Sequence, residues 1–284
     1  MAAESNVKSA SRVLDIFEAL SASPRGLSFT ALQRALGIPK SSLHALLDVL
    51  VARGYLELDA ARRVYTVGIR LWERSQAYQR HHDLVKEALP AMETIVGAIN
   101  ETVQLAALDG LENVYLAKVD SSHPLRLQSE VGMRLPAYAT GLGKALLAEM
   151  DANLLATLLR DQALVPFTPH TFTNTDALLA ELARTHARGF AIDNQEFTPG
   201  LCCVAVPIAD HRGVAAAAMS VSIPLTRAAI ELLSAALHQL AAGALHVSSR
   251  LGAPRPDARL AALCDPQAAR AALQALEQAA ALGI

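Results

Sequence analysis

Two short stretches of this sequence carry side chains whose spacing suits chemistry on an anion. The first is Lys40-Ser41-Ser42-Leu43-His44, which follows the breaker Gly37-Ile38-Pro39. Lys40, Ser41, Ser42 and His44 fall off the apolar stripe Leu43, Leu46, Leu47 and Leu50, so they share the open start of one helix. Short polar and basic groups placed there fit phosphate oxygens and base edges. Arg62 and Arg63 add two cations at a later turn, where they could reach a nucleic-acid backbone or minor groove. The second stretch is Thr140-Gly141-Leu142-Gly143, which opens another helix. Glycines let a ligand approach backbone N–H groups, and a helix N-terminus favours an anion such as a carboxylate. A plain turn with an N-cap would explain the same residues. A Walker A loop is excluded, because Ala145 stands where Ser or Thr is required and Tyr138 replaces the first glycine.

Three weaker constellations remain. Ser220 and Ser222 share one face of a strand whose other face carries Met219, Val221 and Ile223. Cys202 and Cys203 with His211 would be a thiol nucleophile and base, but the cysteines sit in an apolar run with no nearby cation to lower a thiol pKa. The nine histidines show no ligand spacing, and His81-His82 are adjacent, so no metal and no cofactor is expected.

The elements that must position these residues follow from periodicity. Helices are predicted over Lys8–Leu20, from the Ser28 N-cap to Leu36, and over Lys40–Arg53. A hairpin follows, with strands Tyr55–Leu58 and Val64–Val67 around a polar turn. Helix, helix, tight turn, helix and hairpin is the order of a winged helix-turn-helix. Further on, Thr102–Leu108 and Asn113–Val119 flank the hairpin signal Asp109-Gly110, and Leu125–Glu130 reads as another strand. Gly143–Glu149, Ala152–Leu159 and Ala177–Arg188 read as helices. Cys202–Ala209 and Val214–Ile223 form a third hairpin, and a long Ala/Leu helix runs over Thr226–Leu251. The class is α+β: a winged helix-turn-helix over 1–69, a connecting helix over 70–84, an antiparallel-sheet domain over 85–252 and an Ala-rich tail over 253–284 that reads as an appendage.

Composition narrows the classes. With 52% apolar and 18% charged residues the chain is neither disordered nor short of core material. It shows no run of eighteen apolar residues free of charges or breakers and no secretory h-region, so no membrane partner is expected and three cysteines fit a cytoplasmic setting. The net charge of −2 is uneven: residues 1–70 hold nine Lys/Arg against six Asp/Glu, and the rest hold sixteen against twenty-one. A basic head on an acidic body suits a DNA reader joined to a non-DNA domain. A protein-interaction module built on the same three helices would also fit, as would a thiol or other small-molecule enzyme on the larger domain.

The chain resembles the IclR family of bacterial regulators. The resemblance rests on Ser9-Ala10-Ser11-Arg12-Val13-Leu14-Asp15-Ile16, on Gly37 through Leu47, on Tyr65-Thr66-Val67-Gly68, on Pro136 through Ala148, on Gly189 through Glu196 and on Gly200 through Pro207. It implies a DNA-binding head and a GAF-like effector domain, with no enzymatic activity. It also implies a homodimer or homotetramer on a double-stranded operator, controlled by a small organic acid or aromatic metabolite. Leu135, Asp193, Cys203, Ser220 and Ser222 match the family's pocket positions and join Gly141 and Leu142 as effector-binding candidates. Asp193 could instead cap a turn, and Cys203 could be a small buried hydrophobe. One departure stands out: the family usually carries Arg after the position of His44, and here Ala45 follows.

Overall fold

Ser28 starts the second helix as its type suggests, its Oγ accepting from the Ala31 N–H at 3.2 Å. Gly37 ends that helix in the left-handed conformation, φ 62°. The computed structural model describes residues 7–74, 84–124, 129–160 and 162–278. The chain falls into two compact units, divided between His82 and Asp83.

The first unit holds α1 (Lys8–Ser21), β1 (Leu27–Ser28), α2 (Phe29–Leu36), α3 (Lys40–Ala52), β2 (Leu56–Asp59) and β3 (Val64–Val67). Helices α2 and α3 meet at a bend of 120°. Leu32 of α2 and the α3 stripe, Leu43, Leu47 and Leu50, are buried with Ile16, Leu20, Ile38 and Leu56. That shared core fixes the angle at which α3 is presented. The strands order β1-β3-β2, all antiparallel. Strand β1 has two residues, too few for alternation to register in the sequence. A helix α4 follows at residues 69–74. The rest of the expected connecting helix, with His81 and His82, lies outside the described residues.

The second unit begins with α5 (Leu84–Ile99) and continues through β4 (Thr102–Asp109), β5 (Glu112–Val119) and β6 (Arg134–Pro136). Then come α6 (Gly141–Leu147), α7 (Ala152–Leu159), α8 (Thr175–Arg188), β7 (Ala191–Asn194), β8 (Leu201–Ala209) and β9 (Ala215–Pro224). The chain closes with α9 (Ile230–Arg250), α10 (Ala258–Leu263) and α11 (Pro266–Gln278). One antiparallel sheet runs β6-β5-β4-β9-β8-β7. Of the expected strand Leu125–Glu130, residues 125–128 lie outside the described residues, and Ser129 and Glu130 are not in a strand. Strands β6 and β7 escape a sequence reading because three and four residues carry too little pattern.

Alternation along β8 and β9 sorts side chains between two layers. Cys202, Val204, Val206 and Ile208, with Met219, Val221 and Ile223, face the core shared with α5 and α9. Ala106, Ala205 and Ala218 lie on the other face, against Leu142, Ala145 and Leu146 of α6. Small side chains there let α6 lie close to the sheet, and all seven of its residues are buried. Helix α9 is long and apolar enough to cross a bilayer by length and composition, yet its apolar face is packed into this core.

The tail corrects the sequence reading. Residues 258–278 are not an appendage: Leu260, Leu263, Ala269 and Leu273 are buried in the same core as the sheet and α9. Alanine-rich composition hid the four buried positions because Ala reads equally well as solvent-facing helix.

Candidate functional site

In the first unit, the α3 stripe points inward and leaves Lys40, Ser41 and His44 exposed, with Ser42 half-buried. No side chain caps the α3 N-terminus, and its first turn holds no acid, so its partial positive charge faces outward uncompensated. His44 Nδ1 lies 2.7 Å from Asp48 Oδ2, one turn further along the same exposed face. At the wing tip, Asp59 Oδ1 accepts from the N–H groups of Ala61 and Arg62, and Arg63 takes a left-handed φ of 55°. This turn leaves both Arg62 and Arg63 exposed.

In the second unit, a cavity of about 520 Å³, counting its open mouth, lies against the sheet beside the α6 N-terminus. Leu135, Gly141, Leu142, Asp193, Cys203, Ser220 and Ser222 all line it. They arrive from five elements: β6, α6, β7, β8 and β9. The register explains how: Asp193 pairs with Cys203, and Cys203 with Ser222, across three adjacent strands. Sequence reasoning missed Tyr115, Met133, Phe197 and Leu201, which supply apolar and aromatic wall. It also missed Gln104, which is fully buried behind the serines. Its Oε1 accepts from Ser220 Oγ at 3.1 Å and Ser222 Oγ at 2.8 Å, and its Nε2 donates to Ser129 Oγ at 3.3 Å. The alternation Thr102-Val103-Gln104-Leu105 was a signal for Gln104, but its cross-strand partner Ser220 is set by register, which a single sequence does not display.

Gly143 also has a packing role. A Cβ on Gly143 would lie 2.2 Å from the Ala137 backbone, so this glycine lets the chain before α6 fold against it. Gly141 is in ordinary contact range of Asp193, Cys203 and Ala205. Thr140 caps α6, accepting from the Gly143 N–H at 3.0 Å and donating to Asn113 Oδ1 at 2.7 Å.

Behind the cavity sits a buried charge cluster. Lys144 of α6 is hydrogen-bonded to Glu196, and both are almost wholly shielded from solvent. Asp193 accepts from the Glu196 N–H at 2.8 Å, and the Gly141 N–H further steadies its charged form. Burial first, and the Glu196 charge second, push the Asp193 carboxyl up to about 7, against the pull of Lys144. Burial also raises both adjacent thiols, Cys202 to about 12 and Cys203 well above its ordinary value, so neither is a thiolate at neutral pH. The cysteines face opposite sides of β8, and His211 is exposed in the β8–β9 turn. That arrangement does not make a nucleophile and base.

These two halves are the two halves of a known family. The chain matches the IclR helix-turn-helix domain over residues 9–60 and the C-terminal domain of bacterial transcriptional regulator IclR over residues 76–249. It belongs to the IclR family of bacterial transcriptional regulators. One family relative, the HTH-type transcriptional regulator BhcR of Paracoccus denitrificans, is 35% identical over 252 residues, which covers 89% of this chain and 90% of the relative. The Thermotoga maritima IclR crystal structure superimposes with a TM-score of 0.73 at 28% identity, over 86% of this chain and 99% of that one. An IclR homologue from Microbacterium hydrocarbonoxydans, crystallised in complex with 4-hydroxybenzoate, gives 0.77 at 26% identity, over 86% and 98%. Like its IclR-family relatives, the chain is a DNA-binding transcription regulator with a small-molecule effector domain. Ala45, which follows His44, is exposed on the same helix.

Proposed function

We propose that the cavity binds a small organic acid with an apolar or aromatic body, and that occupancy controls how the chain reads its operator. The observation that carries this reading is the convergence of Leu135, Gly141, Leu142, Asp193, Cys203, Ser220 and Ser222 on one cavity. A carboxylate head fits the α6 N-terminus beside a protonated Asp193, the serine oxygens, whose protons go to Gln104, accept from a hydroxyl on the effector, and Tyr115, Met133, Phe197 and Leu201 take the body. A second carboxylate beside Asp193 is tolerable only when Asp193 holds a proton, which its raised pKa supplies near neutrality. The crystallised complex of the Microbacterium homologue with 4-hydroxybenzoate makes that compound the first to try.

The DNA side uses Lys40, Ser41, Ser42 and His44 in the major groove, with Arg62 and Arg63 of the wing on the backbone or minor groove. The chain works as a homodimer or homotetramer, and the two-fold symmetry of paired heads matches a palindromic or pseudo-palindromic operator. Regulation requires that the effector bind the DNA-competent and DNA-incompetent states with different affinity.

The test is fluorescence anisotropy on DNA from upstream of the protein's own gene, beside a random duplex, at several salt concentrations. Selective binding that weakens steeply with salt is expected, and Lys40→Ala should lower the log–log salt slope by about one. Adding 4-hydroxybenzoate and a panel of small carboxylates should shift the wild type and not the Ser220→Ala/Ser222→Ala double variant. Equal responses from both proteins would remove the cavity from the mechanism.

A further inference from the structure

Residues 253–278 lie past the end of the family match at residue 249, yet they are built into the effector domain. Their side chains make one conspicuous cross-connection. Asp257 caps α10 by accepting from the Arg259 N–H at 2.8 Å, and it also pairs with the Arg259 guanidinium. Held in that orientation, Arg259 Nη1 donates to Glu149 Oε1 at 2.8 Å and to the His186 carbonyl at 2.5 Å. Glu149 lies two residues beyond the end of α6, and His186 is in the last turn of α8. The fit is close: a Cβ on Gly189, the residue that ends α8, would lie 2.7 Å from Arg259 Cβ.

The two elements joined by Arg259 are the ones whose far ends make the polar end of the cavity. Helix α6 runs from Gly141 and Leu142 at the cavity to Leu147 beside Glu149. Seven helical residues span roughly 10 Å, so a shift at one end is carried rigidly to the other. Gly189 leads through buried Phe190 into β7, which carries Asp193 into the same cavity. The spacing between α6 and β7 decides how far the Leu142 N–H stands from the Asp193 carboxyl.

We propose that the segment after residue 252 is a strap on the effector domain, with Arg259 as the positioning residue that holds α6 against the α8–β7 corner and so sets the width of the effector cavity. The proposal rests on the reading of that cavity as the effector site. Its test needs no effector, so its failure is distinguishable from failure of that reading.

Cys203 lines the cavity and reports its opening. In full-length protein carrying Cys202→Ala and Cys264→Ser, the rate at which methyl methanethiosulfonate modifies Cys203 is followed by mass spectrometry at pH 9. Arg259→Ala should raise that rate about tenfold, Glu149→Gln should raise it severalfold, and Arg259→Lys should recover part of the protection. Arg270→Ala is the control, since Arg270 ties α11 to Glu231 of α9 at 2.8 Å and touches neither α6 nor β7. It should leave the rate unchanged. Should Arg259→Ala label at the background rate, or Arg270→Ala label as fast as Arg259→Ala, the tail is ordinary packing and the strap is overturned. If Arg259→Ala does not fold, Glu149→Gln against Arg270→Ala decides by the same criterion.

Discussion

Asp193 is the residue on which most of the site's chemistry meets. Its carboxyl is pushed up to about 7 by burial and by Glu196, from an unperturbed value of 3.8, with Lys144 opposing. The folded state therefore holds the proton more tightly than the unfolded state. The stability this confers is complete below pH 4 and is lost as pH rises through 7. Asp193→Asn cannot titrate, and its Oδ1 can still accept from the Glu196 N–H. Denaturant midpoints should show the variant gaining on the wild type between pH 5 and pH 8 by on the order of 1–3 kcal/mol. A difference independent of pH would mean that Asp193 is ionised throughout. Alternation marked Ser220 and Ser222 in the sequence, but only family resemblance tied them, Cys203 and Asp193 to a pocket. Their physical relation depends on strand register, which brings residues far apart in the chain opposite each other. Gln104 shows the limit: alternation marks its face of the strand, but its place behind the cavity emerges only when Ser220 and Ser222 are set beside it.

At the scale of elements, α6 is the part whose placement matters most. It is short, wholly buried and bounded by a close backbone approach at Gly143. Gly143→Ala puts a methyl 2.2 Å from the Ala137 main chain, which no flexible side chain can relieve. The expected cost is about 3 kcal/mol or more, since either the turn before α6 or the helix itself must move. Chemical denaturation gives that figure. Effector response should weaken further than stability alone explains, because Leu142 moves with the helix. The long periodic elements were legible in sequence: α1, α2, α3, α9 and all three hairpins begin and end within a few residues of their predicted limits. The short ones were not. Strands β1, β6 and β7 exist because neighbouring strands accept them, and their own few residues carry no period.

At the scale of the whole molecule, the chain holds two units with separate cores. Leu47 is fully buried in the smaller one. Leu47→Ala should cost about 2–5 kcal/mol there and abolish operator binding at moderate temperature. Cys203 labelling, which reports on the larger unit, should stay at the wild-type rate. Loss of both together would show that the units unfold as one. The charge asymmetry was in keeping with two units, whereas the tail's membership of the larger core left no trace in the sequence, because alanine is silent about burial. Every DNA-contact candidate comes from before His82, and every cavity residue comes from after it. Address and trigger are thus written in separate stretches of the chain. A chimera that joins the first unit of another family member to residues 83–284 should answer this protein's effector at that member's operator, which makes the larger unit a transplantable sensor.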